Sequence, residues 1–341
     1  MDLLPTPEQD EIVATVRTQL DRQFALNDLA AHDGADRAVD RDLWRRCADL
    51  GWFGLGLDEH LGGVGYTLVE EALLFAELGA HATPGPFLAT VLAARLAATG
   101  GDAELAAAIL AGDLLVALAE AEDVGAAVGS TVTGRFRVTD FGGADLFLVA
   151  GTDPAAGMAV VDAVAVTAEP SLDLLVPLGV VDLDGTAARV SATDTADLAL
   201  RATVLLASQL AGSATATAEQ STEYAKDREQ FGRPVGSFQA VKHRCADMAA
   251  QADAATSLAR YASLAVADGR PDGPFHAHAA WAVAAGAAIA NAQVNVQNHG
   301  GIGFTWEHTA HRYVTRAQFL VRTFGDRTAH LAALLAEPAP A

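Results

Sequence analysis

The amino-acid sequence predicts an α+β chain, mainly α, in three parts: an N-terminal helical domain over residues 1–113, a small middle β-barrel or sandwich domain over 114–195, and a C-terminal four-helix bundle over 196–341. Apolar side chains recur at three- and four-residue spacing toward both ends of the chain, the period of a helix with one buried face. Between them lie short runs of Val, Leu and Phe punctuated by Gly, Asp and Pro, the pattern of strands and turns. With 51% apolar and 19% charged residues over 341 positions, the chain has ample material for a buried core.

The first helix is expected in PEQDEIVATVRTQLDRQF. Thr6 can cap it, Pro7 suits its first turn, acidic residues crowd its positive end, and Ile12, Val13, Val16 and Leu20 form its apolar stripe. A second helix, in DRDLWRRCADLGWFGLG, stops at glycines, and a third runs from Leu68 to Leu78. TPGPF breaks the pattern before Ala89 to Leu110 resumes it. The runs LLVALAE, STVTGRFRVTD, ADLFLVAG, GMAVVDAVAVTAE and AARVSATD are expected to be strands of a compact antiparallel unit. After Asp194, alanine-rich helical periodicity returns in four long stretches separated at GRPVGS, DGRPDGP and GGIGF.

Forty-three acidic and twenty-two basic residues leave a formal charge of −21, which argues against nucleic acid or an anionic membrane as partner. A single anion can still be held by positioned arginines and helix ends. Cys47 and Cys245 alone can build neither a disulfide framework nor a metal-ligand quartet. The acidic N-terminus lacks a basic start followed by an apolar stretch, so a cytoplasmic protein is expected. His276 with His278, and His299, His308 and His311, lack flanking carboxylates or cysteines in ligand spacing; they are expected to be surface or interface histidines, and no metal is expected. Gly51, Gly54 and Gly56 are spaced loosely like a dinucleotide loop, but no strand precedes them.

Two segments carry more chemistry. In YAKDREQFGRPVGSFQ, Tyr224 to Gln239, a helix is expected to end near Gln230, with Phe231 and Gly232 as its exit, Pro234 and Gly236 turning the chain, and Ser237 able to cap the next helix. An ordinary helix-loop-helix would show the same pattern. In NVQNHGGIGFTWEH, Asn295 to His308, a helix ends on Gly300 and Gly301, where another group could approach the backbone closely.

Together these segments resemble the C-terminal domain of the acyl-CoA dehydrogenase family, where an Arg-x-x-Phe-Gly turn, a Gln eleven residues after the Arg, and a Gln-x-x-Gly-Gly segment follow in this order. Gly51 to Gly79, GWFGLGLDEHLGGVGYTLVEEALLFAELG, resembles the family's N-terminal domain, and the likeness spans nearly the whole chain. The resemblance implies the acyl-CoA dehydrogenase fold, FAD as cofactor, an acyl-CoA substrate and an electron-transfer acceptor. It also implies an oligomer in which these motifs grip the adenine-nucleotide half of a neighbouring subunit's FAD. The cofactor-binding residues it implies are Arg228 for the pyrophosphate, Phe231 and Gly232 for the nucleotide face, Gln239 for the adenosine, and Gln297, Gly300 and Gly301 near phosphate.

The same resemblance exposes what is missing. The reaction needs a carboxylate to remove the proton alpha to the thioester, and the family carries it in one of two places. One lies immediately before an Arg at the start of the C-terminal domain, where Leu200 precedes Arg201. The other lies in a Tyr-Glu-Gly-Thr loop, where RTFGDRT places Gly325, with Asp326 one residue on. No catalytic residue is assigned. The Thr-Glu-Pro and Gly-Ser-Asp segments that hold the flavin ring are absent from LAEAEDVGAAVGSTVTG. The resemblance is therefore to the non-catalytic subunit of an actinobacterial α2β2 enzyme acting on bulky steroid side-chain thioesters, with a homologous catalytic subunit as partner. Two alternatives stay open: a self-sufficient homotetramer using Asp326 as base, and a flavin-free scaffold.

Overall fold

The computed structural model describes residues 3–24 and 39–338. The chain forms two compact units, one drawn from Met1–Ala31, Ala72–Thr83 and Thr203–Ala341, the other from His32–Glu71 and Pro84–Ala202.

The second of these units holds helices α2 (Arg41–Asp49), α4 (Phe87–Thr99) and α5 (Ala103–Leu110) together with the sheet. The Asp40 carboxylate caps α2 by accepting the N–H groups of Asp42 and Leu43. Helix α4 is buried on nearly every face, as its unbroken apolar sequence requires. Trp44 packs against Phe53 and Phe87 with ring centroids 4.5 and 4.7 Å apart. Gly51, Gly54 and Gly56 lie in turns after α2, so no strand leads into them.

The sheet runs in the order β6 (Thr167–Glu169), β7 (Leu178–Ala187), β3 (Thr131–Thr139), β1 (Val116–Ala121), β4 (Leu146–Ala150), β5 (Met158–Asp162) and β8 (Val190–Ala192), with β2 (Ala127–Val128) paired onto β3. It is mixed rather than purely antiparallel, because β1 and β4 pair in parallel from Val116↔Leu146 to Glu120↔Ala150. The chain turns back through β2 and β3 on one side of β1 and then crosses to its other side, which leaves β4 running the same way. Strand β7, LGVVDLDGTA, was absent from the expected set. It lies between β3 and β6 and packs Val181 and Leu183 with Phe136 and Phe147 in the sheet's core.

The other unit is helical. It contains α1 (Pro7–Gln23), residues from α3 (Leu68–Ala80) and α6 (Ala196–Asp227), and α7 (Gln239–Ala267), α8 (Gly273–His299), α9 (Ala310–Leu320) and α10 (Arg327–Ala336). The expected cap of α1 is a reciprocal one: Thr6 accepts from the Gln9 N–H, and the Gln9 side chain accepts from the Thr6 N–H. Helices α3 and α6 touch backbone to backbone, since a Cβ on Gly79 would stand 1.8 Å from the Gln209 carbonyl oxygen. Buried asparagines set the register of the long helices. Asn291 donates to the carbonyls of Ala214 and Met248 at 3.0 and 2.9 Å. Asn295 accepts from Ser221 at 2.8 Å and donates to Gln220 at 3.0 Å. A slip would strand these amides in an apolar interior, at about 1–3 kcal/mol each. Among the described residues, no helix is long and apolar enough to cross a membrane.

Candidate functional site

Helix α6 ends at Asp227, three residues before its expected stop, because the next residues turn into a small hairpin. Glu229–Gln230 (β9) pairs with Arg233–Pro234 (β10), and Phe231 and Gly232 form the two-residue turn with φ of +55° and +77°. Positive φ at both central positions matches the twist of paired strands. For Phe231 that conformation costs about 1–2 kcal/mol, and it leaves the ring 91% exposed. The ring meets Phe238 edge-on at 6.0 Å, and the Arg233 guanidinium lies 4.2 Å from the centre of the Phe238 ring. The Val235 N–H donates to the Arg228 carbonyl at 2.7 Å and closes the loop. Arg228 and Gln239 are exposed, and among the described residues neither side chain has a hydrogen-bond or ion-pair partner. Ser237 does not cap α7 as expected. A 3-10 turn over Val235–Ser237 places Phe238 at the cap position and buries the Ser237 hydroxyl.

Helix α8 stops at His299 as Gly300 turns to φ +64° and donates its N–H to the Gln297 carbonyl. The Gln297 side chain is exposed. A Cβ built on Gly232, Gly300 or Gly301 would meet nothing within 4 Å, so the chain's own packing does not call for their bareness. Gly303 is the opposite case: its Cβ would stand 2.7 Å from the Val296 carbonyl oxygen, because the turn after Gly301 folds back onto the helix end.

The two motifs meet. Tyr224, one helical turn before Arg228, stacks on His299 with ring centroids 4.3 Å apart, and its hydroxyl donates to the His299 carbonyl at 3.4 Å. His299 is buried, which corrects its expected place at a surface or interface, and His308 and His311 are partly buried. Burial pushes the His299 imidazole below its ordinary range; burial, then His299 and His311, do the same to His308. No metal-binding group of three or more ligands occurs among the described residues. Sequence reasoning missed Tyr224 and His299 as partners, although each lies inside a segment it singled out.

Neither of the two positions where the base was expected, 200 and 325, carries a carboxylate. In the sheet-containing unit, Leu200 is half-buried and Arg201 forms an ion pair with the buried Glu71. Nearby, Arg95 donates to the Gly56 carbonyl, and burial followed by the Arg201 charge lowers its pKa. In the helical unit, Phe324 and Gly325 take φ of +55° and +102°. Asp326 is already employed: its carboxylate accepts the Ala329 N–H at 2.9 Å and caps α10. Behind Gly325, the buried His330 stacks on Trp281 at 3.9 Å and places its Nδ1 3.0 Å from that of His278. Burial, then His278, pushes His330 down to about 4.

An exposed guanidinium, an outward aromatic ring, free amides and an uncovered glycine loop together suit a planar, anionic nucleotide. Residues 6–112 match the N-terminal domain of acyl-CoA dehydrogenases, and residues 200–335 match the C-terminal domain. Acyl-CoA dehydrogenase IpdE2 of Mycobacterium tuberculosis is 32% identical over 324 residues, covering 92% of each chain. A chain of the ChsE4–ChsE5 complex from Mycobacterium tuberculosis superposes with a TM-score of 0.87 at 29% identity, over 99% of this chain and 100% of that one. A chain of the Tcur3481–Tcur3483 steroid ACAD superposes with a TM-score of 0.83 at 27% identity, over 96% of each. By sequence and by fold, the chain belongs to the acyl-CoA dehydrogenase family.

Proposed function

We propose that this chain is the nucleotide-gripping, base-lacking subunit of a cytoplasmic FAD-dependent acyl-CoA dehydrogenase, an α2β2 heteromer that introduces an α,β double bond into an acyl-CoA thioester. One observation supports the proposal: Arg228, Phe231 and Gly300–Gly301 stand uncommitted, while the two positions at which the resemblance places the base hold Leu200 and Gly325. The homologous partner subunit supplies the carboxylate. The pairing of unlike chains in ChsE4–ChsE5 favours this division, and the steroid ACAD neighbour favours a steroid side-chain thioester as substrate.

The residues of this chain suit the adenine half of FAD by the chemistry of their donors. Arg228 would fork onto the pyrophosphate, Phe231 and Gly232 would face the nucleotide, Gln239 would hydrogen-bond the adenosine, and Gln297 with Gly300 and Gly301 would let phosphate approach amide groups. The chemistry FAD supplies when bound is acceptance of the hydride from the beta carbon, and an electron-transfer protein then takes the electrons. The divisions at residues 113 and 195 belong to the same proposal.

A homotetramer with Asp326 as base is disfavoured by the capping bond that carboxylate already accepts. Purification decides between the two. Expressed alone, the chain is expected to be colourless or insoluble and inactive; co-expressed with a homologue carrying Glu at a base position, it is expected to yield a yellow complex bleached by an acyl-CoA. A yellow, acyl-CoA-bleached preparation of the isolated chain would falsify the division of labour.

A further inference from the structure

Three stacked rings join the two nucleotide motifs from inside the helical unit. The Arg228 N–H donates to the Tyr224 carbonyl at 2.9 Å, which ties the hairpin to Tyr224. Tyr224 packs on His299 at 4.3 Å and 33°, and His299 packs on His308 at 4.3 Å and 45°. His299 immediately precedes Gly300, and the following turn returns onto it, since a Cβ on Gly303 would stand 3.0 Å from the His299 Cβ. The glycine loop thus rests on His299, and His299 rests on α6, the helix that ends just before Arg228.

Hydrogen bonds assign the tautomers. His299 Nδ1 lies 2.8 Å from the Asn295 carbonyl, so in the neutral ring Nδ1 carries the proton and Nε2 the lone pair. His308 Nδ1 accepts the Ala310 N–H at 3.1 Å, so its proton sits on Nε2. Among the described residues, the titratable groups facing the two imidazoles are each other, Tyr224 on α6 and His311 on α9.

We propose that Tyr224, His299 and His308 are a positioning unit that holds the Gly300–Gly301 loop in register with the Arg228 hairpin, so that both halves of the nucleotide site are aligned before FAD arrives. The inference rests on the FAD assignment above. Each ring acts through the backbone it supports. A packing role alone would weaken the fold and FAD binding together, whereas a positioning role weakens FAD binding with the flavin-stripped fold intact.

The test uses the co-expressed heteromer, with FAD affinity followed by flavin fluorescence and the thermal midpoint of the flavin-stripped complex measured in parallel. Tyr224→Phe keeps the ring and removes the hydroxyl; FAD is expected to bind roughly two- to tenfold more weakly, with a drop in the stripped midpoint too small to account for that loss. His299→Leu is expected to cost more, and if it fails to fold, Tyr224→Phe still decides. Burial lowers the pKa of both imidazoles, so wild-type FAD affinity should hold through the ordinary histidine range and fall only at more acidic pH, and His308→Phe should flatten that fall. FAD affinity in Tyr224→Phe equal to wild type, or a loss matched by an equal drop in stripped midpoint, overturns the positioning role alone. A wild-type complex that holds no flavin overturns the proposed function and this inference with it.

Discussion

The hairpin with its glycine loop and the loop before the last helix belong to the same helical unit, yet they treat their polar groups in opposite ways. In the first, Arg228 and Gln239 have no side-chain partner among the described residues, the Phe231 ring stands in solvent, and Gly300 and Gly301 face open space. In the second, Asp326 caps α10, Gly325 lies against Ala329 and His330, and His330 is held between Trp281 and His278. Residue type alone does not separate the regions, since both hold charged and aromatic groups. The difference is whether the chain has already used their bonding capacity.

The largest expected test of that contrast is acid titration of the closed region. The His330 pKa of about 4 lies below the ordinary 6.5, so the neutral ring contributes stability that is complete above 6.5 and lost as pH falls toward 4, roughly 3 kcal/mol in all. His330→Phe keeps a ring on Trp281 and should remove most of this slope from thermal midpoints measured between pH 7 and 4; an unchanged slope would break the contrast. Next in size is the open region. Arg228→Ala in the heteromer should weaken FAD about ten- to a hundredfold by removing a charge-assisted hydrogen-bond donor, while the flavin-free fold keeps its midpoint. Unaltered flavin content would instead favour a scaffold.

Asp326→Ala should cost about 1 kcal/mol of stability through its lost cap and leave turnover of the heteromer unaltered. A thousandfold loss of turnover would make Asp326 the base and erase the distinction between the two regions. The smallest effect is expected at Phe231. Phe231→Gly relieves the positive φ but adds freedom to the unfolded chain, so stability should move by less than about 1 kcal/mol. Flavin equilibrium dialysis should show a several-fold weaker complex, and full retention would remove Phe231 from the site.

Local features of the fold were legible in advance. Thr6 and Pro7 at the start of α1, the glycines after α2 and the Gly300 stop of α8 depend on neighbours a few residues away, and the structure agrees with each. Strand β7 was not legible, because Asp182, Asp184 and Gly185 give LGVVDLDGTA the composition of a turn; β3 and β6 make it a strand by pairing along its edges. The parallel pairing of β1 with β4 is likewise a choice of partner that neither strand's own residues dictate. The residue types of the candidate site stood in plain view, but the stack of Tyr224 on His299 joins positions 75 apart and the histidine looked exposed.

From the sequence alone came the matters settled by covalent identity and near neighbours: helix caps and stops, a net acidity hostile to polyanions, and the lack of a carboxylate at positions 200 and 325. Only the tertiary structure decided which polar groups remain uncommitted. Burial and hydrogen-bond satisfaction are sums over atoms distant in the chain, so whether Asp326 is busy and Arg228 idle exists only once those distant atoms have met.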